Sequence, residues 1–82
     1  MQYEELCLFI GLKVKYYRQM RGLTQAMLSE KIDMDIRYIS EIERGRKNIT
    51  LKTLYKLSIA LGIQPQDLFI FPVIPRVTEQ SE

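Results

Sequence analysis

The sequence predicts an all-α fold, a compact bundle of about five short helices. Apolar residues recur at steps of three and four, as they do on one face of a helix. Threonine, aspartate or glycine stands where most of these periodic segments begin or end. The 82 residues leave room for one small domain, which would bury only about 60–65% of its unfolded surface. The segments predicted to be helical are 4–21, 25–32, 36–44, 51–61 and 65–70.

The first predicted helix, residues 4–21, carries a stripe expected to face the core and ends at Gly22. Gly11 lies inside this helix, where glycine destabilises by about 1 kcal/mol relative to alanine. We therefore expect another element to pack closely over Gly11. The residues of the core-facing stripe are Cys7, Ile10, Val14 and Tyr17.

Residues 23–45 predict two short helices joined by a tight turn. Thr24 is suited to cap the first helix and Asp35 the second, because their side-chain oxygens can accept from free backbone N–H groups. Gly45 ends the second helix, at a position where the left-handed backbone conformation is common. Helix, short turn and helix form the arrangement of a widespread DNA-binding motif.

The motifs LTQ, YIS and IERG, at their spacings in this chain, resemble the helix-turn-helix of the phage-repressor and Cro (Xre-like) family. That family includes restriction–modification controller proteins, and the resemblance runs from about residue 10 to residue 69. It implies a lambda-repressor-like fold in which the second and third helices form the helix-turn-helix. The family usually has glycine at position 33, whereas this chain has Asp33, which tolerates positive φ less well than glycine.

The last two predicted helices have boundary residues of their own. Thr50 is expected to cap the fourth helix and Gly62 to close it. Pro65 starts the fifth helix at the first helical position, where its missing N–H costs nothing. The helix-turn-helix domain is therefore expected to span residues 1–71, and residues 72–82 are predicted to be an extended, loose C-terminal tail.

Composition excludes several classes of protein. One cysteine and no histidine exclude a zinc-finger ligand set and an intrachain disulfide, so we expect no metal or other cofactor. The apolar run near the N terminus is too short to span a membrane, so we expect a cytoplasmic protein without a membrane partner. We also expect no enzyme and no small-molecule substrate, because catalytic motifs are missing and five short helices leave little room for a shaped pocket.

The charge is distributed unevenly, although the formal net charge is only +2. Residues 10–49 contain nine Lys or Arg and five Asp or Glu, whereas the rest of the chain contains three and five. The basic excess therefore lies on the helix-turn-helix and its flanks. That distribution is expected of a surface that contacts DNA phosphates.

The third predicted helix has one side suited to reading DNA. Ile39 and Ile42 are expected to point inward, which leaves the opposite side free to enter the major groove. There Arg37 can bind guanine O6 and N7, Glu41 can accept from cytosine N4, and Ile36 can meet a thymine methyl group. For Glu41 the alternative is an ordinary surface pair with Arg37. The predicted base contacts are Ile36, Arg37, Ser40 and Glu41.

The resemblance implies further roles outside this reading face. The family counterpart of Gln25 contacts a phosphate and braces the start of the third helix, and the loop after Gly45 follows the DNA backbone. Tyr38 is expected to reach a phosphate or simply to pack. An ion pair between Arg18 and Glu43 is also implied, a solvated Arg18 being the alternative. The predicted DNA-backbone contacts are Gln25, Tyr38, Arg44, Arg46, Lys47 and Asn48.

The predicted function is that of a sequence-specific transcriptional regulator, a repressor or a restriction–modification-type controller. It would bind a palindromic operator in double-stranded DNA as a homodimer, reading half-sites about 34–36 Å apart. The alternative is an antitoxin-type module that binds a toxin protein through residues 70–75 and the tail, and autoregulates through the same domain. The predicted dimer interface consists of Tyr55, Ile59, Phe69, Ile70 and Phe71.

Overall fold

The computed structural model describes residues 1–71, which form four α-helices followed by one 3₁₀ helix. The prediction of an all-α bundle is confirmed. The tail predicted for residues 72–82 lies outside the described residues. The elements in chain order are α1 (Tyr3–Met20), α2 (Gln25–Ile32), α3 (Ile36–Glu43), α4 (Leu51–Leu61) and the 3₁₀ helix (Pro65–Phe69).

The fifth predicted helix needs correction, because residues 65–70 were expected to be α-helical and Pro65–Phe69 is a 3₁₀ helix. Its backbone bond runs over three residues, from the Asp67 N–H to the Gln64 carbonyl at 3.0 Å. A segment this short offers few donors for four-residue bonds, and Pro65 supplies none. The tighter turn is sufficient to seat Leu68, which is completely buried, against the other helices.

The predicted caps of α2, α3 and α4 are all present. Thr24, Asp35 and Thr50 are the N-cap residues, and each side-chain oxygen accepts from a backbone N–H of the first turn. Asp33 adopts the left-handed conformation in the turn between α2 and α3, with φ of 55°. The turn therefore keeps the geometry that glycine usually provides. The capped N–H groups are those of Met27, Arg37 and Thr53, at 3.0, 2.7 and 3.1 Å.

One hydrophobic core joins all four α-helices and the 3₁₀ helix. α3 lies directly on α1 at Gly11, where an added Cβ would be 2.2 Å from the Ile42 carbonyl oxygen. The close packing expected over Gly11 is thus the contact between α1 and the end of α3. Of the predicted α1 stripe, Cys7 and Tyr17 are only half-buried. The buried core residues are Ile10, Val14, Leu28, Ile32, Ile39, Ile42, Leu54, Leu57, Leu61 and Leu68.

Two features are absent from residues 1–71. No helix in that part of the chain is both long and apolar enough to cross a membrane. The same residues contain no group of three or more His, Cys, Asp or Glu side chains placed to hold a metal ion.

Candidate nucleic-acid interface

Helix α3 presents one side to the core and the other to solvent. Ile39 and Ile42 are buried beneath it, so the helix is held firmly against α1 and α2. On the opposite side Ile36 is 44% exposed, and the side chain of Arg37 is 88% exposed. Ser40 and Glu41 are half-buried at the edge of the exposed side. The described part of the chain therefore leaves Ile36 and Arg37 uncovered and covers Ser40 and Glu41 only in part.

Arg37 is paired with the N-cap residue of its own helix. Its Nε and Nη2 atoms donate to Asp35 Oδ1 and Oδ2 at 3.2 and 3.0 Å. The side-chain hydrogen bonds from Arg37, followed by the bond from the Arg37 backbone N–H, hold the pKa of Asp35 below its ordinary value. The side-chain bond to Asp35 likewise raises the pKa of Arg37. An exposed pair of this kind contributes only about 0–1 kcal/mol, so the guanidinium remains available to another acceptor.

Glu41 does not form the surface pair that was the alternative to its base contact. Its nearest cation is Arg44, whose Nη1 lies 3.8 Å from Glu41 Oε2, and both side chains are partly exposed. The separation is at the limit for an ion pair in solvent, where such pairs contribute little. Glu41 and Arg44 therefore lie together on the exposed side of α3.

A buried ion pair connects α1 to α3. Arg18 Nε donates to Glu43 Oε2 at 2.6 Å and Arg18 Nη2 donates to Glu43 Oε1 at 3.0 Å. The third guanidinium nitrogen, Nη1, donates to the Leu23 carbonyl at 2.8 Å. Both side chains are buried, so the two-point contact fixes the position of α3 relative to α1.

Gln25 braces the end of α3 rather than its start. Its Nε2 atom donates to Glu43 Oε1 at 3.0 Å, so the carboxylate accepts from both Gln25 and Arg18. The expectation that Gln25 supports the start of the third helix is therefore wrong in place.

The basic loop after α3 is held in a way that the sequence analysis missed. Arg46 and Lys47 are exposed, but the Tyr3 hydroxyl donates to Asn48 Oδ1 and the Tyr38 hydroxyl donates to the Asn48 carbonyl at 3.4 Å. The pKa of Tyr3 is raised, first by a side-chain hydrogen bond with Cys7. No local signal marks Tyr3, because it lies 45 residues from Asn48.

Arg21 is a second residue whose role sequence reasoning missed. Its Nε donates to the Leu61 carbonyl at 2.7 Å and its Nη2 donates to the Gly62 carbonyl at 3.1 Å. These carbonyls lie at the C-terminal end of α4, where backbone acceptors lack partners within the helix. Arg21 therefore caps the C-terminal end of α4, in addition to contributing to the basic excess.

Four of the five predicted dimer residues are exposed, and the fifth packs within the chain. Tyr55 and Ile59 are exposed one turn apart on α4, and Phe69 and Ile70 are exposed near the 3₁₀ helix. Phe71 instead stacks on Phe9 of its own chain, with ring centroids 5.2 Å apart. The exposed apolar surface on α4 also includes Leu51, which is not among the predicted dimer residues.

A short turn between two helices, the second uncovered and followed by a basic loop, defines a DNA-binding helix-turn-helix protein. Residues 14–68 match the helix-turn-helix family, and the chain belongs to that family. The family consists of DNA-binding transcription regulators and not of enzymes. Control protein C.BamHI from Bacillus amyloliquefaciens is 41% identical over 68 residues, which cover 82% of this chain and 84% of that relative.

Two solved structures of restriction–modification controller proteins are similar in fold. C.AhdI from Aeromonas hydrophila aligns with a TM-score of 0.75 and 33% identity, covering 77% of this chain and 96% of that one. The C.Esp1396I tetramer in complex with its natural 35 base-pair operator aligns with a TM-score of 0.71 and 33% identity, covering 78% and 84%. The family therefore includes the controller proteins that the sequence motifs resemble.

Proposed function

We propose that this chain is a repressor or a restriction–modification-type controller that binds a palindromic operator as a homodimer, with α3 in the major groove. The observation that carries the proposal is the division of α3 between two environments. Ile39 and Ile42 clamp one side to the core, while Ile36 and Arg37 stand exposed on the other. A regulator of this kind acts in the cytoplasm, where its operator lies.

The exposed side of α3 carries the base contacts in this proposal. Arg37 would leave Asp35 and bind guanine O6 and N7. The planar guanidinium would then exchange the two carboxylate oxygens for two acceptors on the base edge. Glu41 would accept from cytosine N4, and Ile36 would pack on a thymine methyl group. Ser40 lies at the edge of the same side, and its hydroxyl can donate to an acceptor or accept from a donor on a base.

The surfaces beside α3 would contact the DNA backbone. Arg44 is exposed at the end of α3, and Arg46 and Lys47 are exposed in the loop that follows. Gln25 lies in the first turn of α2, where the free backbone N–H groups also favour a phosphate. The Tyr38 hydroxyl donates to the Asn48 carbonyl, so it would have to leave that carbonyl to donate to a phosphate. Asn48 Oδ1 accepts from Tyr3, which leaves the Asn48 side-chain amide N–H groups to reach a phosphate.

The proposed homodimer uses the exposed apolar surface of α4 and the 3₁₀ helix. Ile59 is 64% exposed and Tyr55 lies one turn before it, which gives each copy an apolar patch suited to a self-complementary contact. Phe69 and Ile70 would extend the patch, whereas Phe71 would contribute less because it packs on Phe9. The operator complex of C.Esp1396I, which is a tetramer, supports an oligomeric form.

Selection of bound oligonucleotides from a random pool tests the proposal. A two-fold-symmetric consensus is expected, with half-sites separated by about one helical turn, 34–36 Å. Sedimentation at micromolar concentration should show a dimer, and Ile59→Asp should shift it to monomer. Lack of any enriched sequence, or a monomer both free and on DNA, would reject the proposal.

The antitoxin alternative depends on residues 70–75 and the tail, most of which lie outside the described residues. Within the described part, the Phe71 ring is already engaged with Phe9. The regulator proposal therefore has the stronger structural support. Co-purification of an untagged protein with the chain from its native host would favour the alternative.

A further inference from the structure

We infer that Tyr3 is a positioning residue for DNA binding. Its hydroxyl holds Asn48, and through Asn48 it holds the loop 46–48 where Arg46 and Lys47 can reach the DNA backbone. The inference rests on the proposed function and extends it to the first turn of α1, outside the helix-turn-helix. Tyr3 acts here through the loop and not by touching a base.

The start of the loop is fixed against α1. Gly45 has φ of 74°, and its N–H donates to the Ile42 carbonyl at 2.9 Å. The Arg46 N–H donates to the Glu41 carbonyl at 2.9 Å, which completes the helix end. A Cβ added at Gly45 would lie 2.7 Å from Leu8 Cα, so this turn rests directly on the α1 backbone. These contacts therefore fix the direction in which the loop leaves the end of α3.

The far end of the loop is fixed by two tyrosines. Tyr3 from α1 donates to the side chain of Asn48, and Tyr38 from α3 donates to its carbonyl at 3.4 Å. Ile49 then packs at the edge of the core. Asn48 is thus held from two elements, and the exposed cationic side chains lie between the two fixed ends.

Ordering the loop before DNA arrives has a direct consequence for affinity. A loop that is already in its bound conformation loses less conformational freedom on binding, so more of each phosphate contact appears as affinity. The bond from Tyr3 to Asn48 is exposed, and Tyr3→Phe keeps the aromatic ring while removing the hydroxyl. Loss of the hydroxyl should therefore weaken binding without lowering the stability of the fold.

The test compares Tyr3→Phe with Tyr16→Phe in the full chain. Both tyrosines lie on α1 and are similarly exposed, at 55% and 53%, but the Tyr16 ring contacts Tyr17 instead of the loop. Tyr3→Phe should bind the selected operator about five-fold more weakly per protomer, or about 25-fold for a dimer, with its melting temperature and preferred sequence unchanged. Tyr16→Phe should bind like wild type. Equal binding by Tyr3→Phe and wild type would overturn the inference.

A double-mutant cycle with Asn48→Ala tests whether Tyr3 acts through Asn48. In the Asn48→Ala background, Tyr3→Phe should cause no further loss of affinity. A full additional loss would overturn the inference, because Tyr3 would then act on the DNA independently. A drop in melting temperature that accounts for the weaker binding would also overturn it, since the role would be structural.

NMR relaxation of the free protein gives a readout that needs no DNA. Tyr3→Phe should lower the backbone order parameters of Lys47 and Asn48, whereas Tyr16→Phe should leave them unchanged. Unchanged order parameters in Tyr3→Phe would overturn the proposed hold on the loop. Absence of sequence-specific binding by the wild-type chain would instead reject the proposed function, and this inference with it.

Discussion

Replacing Arg18 with alanine should remove a large part of the stability of this domain. Arg18 supplies two of the three side-chain hydrogen bonds that Glu43 accepts, and Gln25 supplies the third. The substitution also deprives the Leu23 carbonyl of its guanidinium donor. The buried Glu43 carboxylate is then left with Gln25 as its one side-chain partner, and burying a charge without a counter-charge is costly.

The size of the effect follows from burial. Removing one partner of a buried ion pair costs about 3–5 kcal/mol. At 0.05–0.15 kcal/mol per residue, a chain of this length has a free energy of unfolding of about 4–12 kcal/mol. Each 1 kcal/mol shifts the melting temperature of a domain this small by about 4–8 °C. The expected decrease for Arg18→Ala is therefore about 12–40 °C.

Thermal and urea unfolding followed by circular dichroism measure this loss. Arg44→Ala is the matched control, because Arg44 is exposed and 3.8 Å from Glu41, so it should lower stability by no more than about 1 kcal/mol. Replacing both buried partners with apolar residues, as Arg18→Met with Glu43→Leu, should recover much of the loss because no charge is stranded. If Arg18→Ala shifted the melting temperature no further than the control, the reasoning would be refuted.

Four other substitutions test separate features. Gly11→Ala should cost about 3 kcal/mol in urea unfolding, because its Cβ would meet the Ile42 carbonyl oxygen at 2.2 Å. The lowered pKa of Asp35 implies stabilisation that is present above its unfolded-state pKa and lost as pH falls through the lower folded-state value. Wild type should therefore have a higher free energy of unfolding than Asp35→Asn at neutral pH, and this advantage should shrink as pH falls through the folded-state pKa of Asp35. Arg37→Ala should cost about 1–3 kcal/mol at one base pair of the operator and relax specificity there. Lys47→Ala should weaken binding to all sequences alike and reduce the salt slope by about one.

Each of these expectations has an outcome that contradicts it. Gly11→Ala with wild-type stability would mean that α1 and α3 are not in close contact. A difference between wild type and Asp35→Asn that did not depend on pH would exclude the ionised cap as its source. An unchanged consensus for Arg37→Ala, or an unchanged salt slope for Lys47→Ala, would remove that residue from the proposed interface.

Local features of the sequence were sufficient to predict most of the helix boundaries. Thr24, Asp35 and Thr50 cap helices because each side chain bonds to an N–H two or three residues away, a contact that depends on almost nothing else. The burial of Ile39 and Ile42 followed from their spacing on one face. The 3₁₀ geometry of Pro65–Phe69 could not be predicted in this way. Over so few residues, the apolar spacing of an α-helix cannot be distinguished from that of a 3₁₀ helix.

The sequence by itself therefore determined the class of fold, the helix-turn-helix and the side of α3 that faces solvent, since these depend on short-range periodicity and capping. Only the tertiary structure decided that Gln25 bonds to Glu43, that Arg21 caps α4 and that Tyr3 holds Asn48. These partners lie 18 to 45 residues apart along the chain. Their contacts depend on how the helices pack and where each side chain then points, which local spacing does not specify.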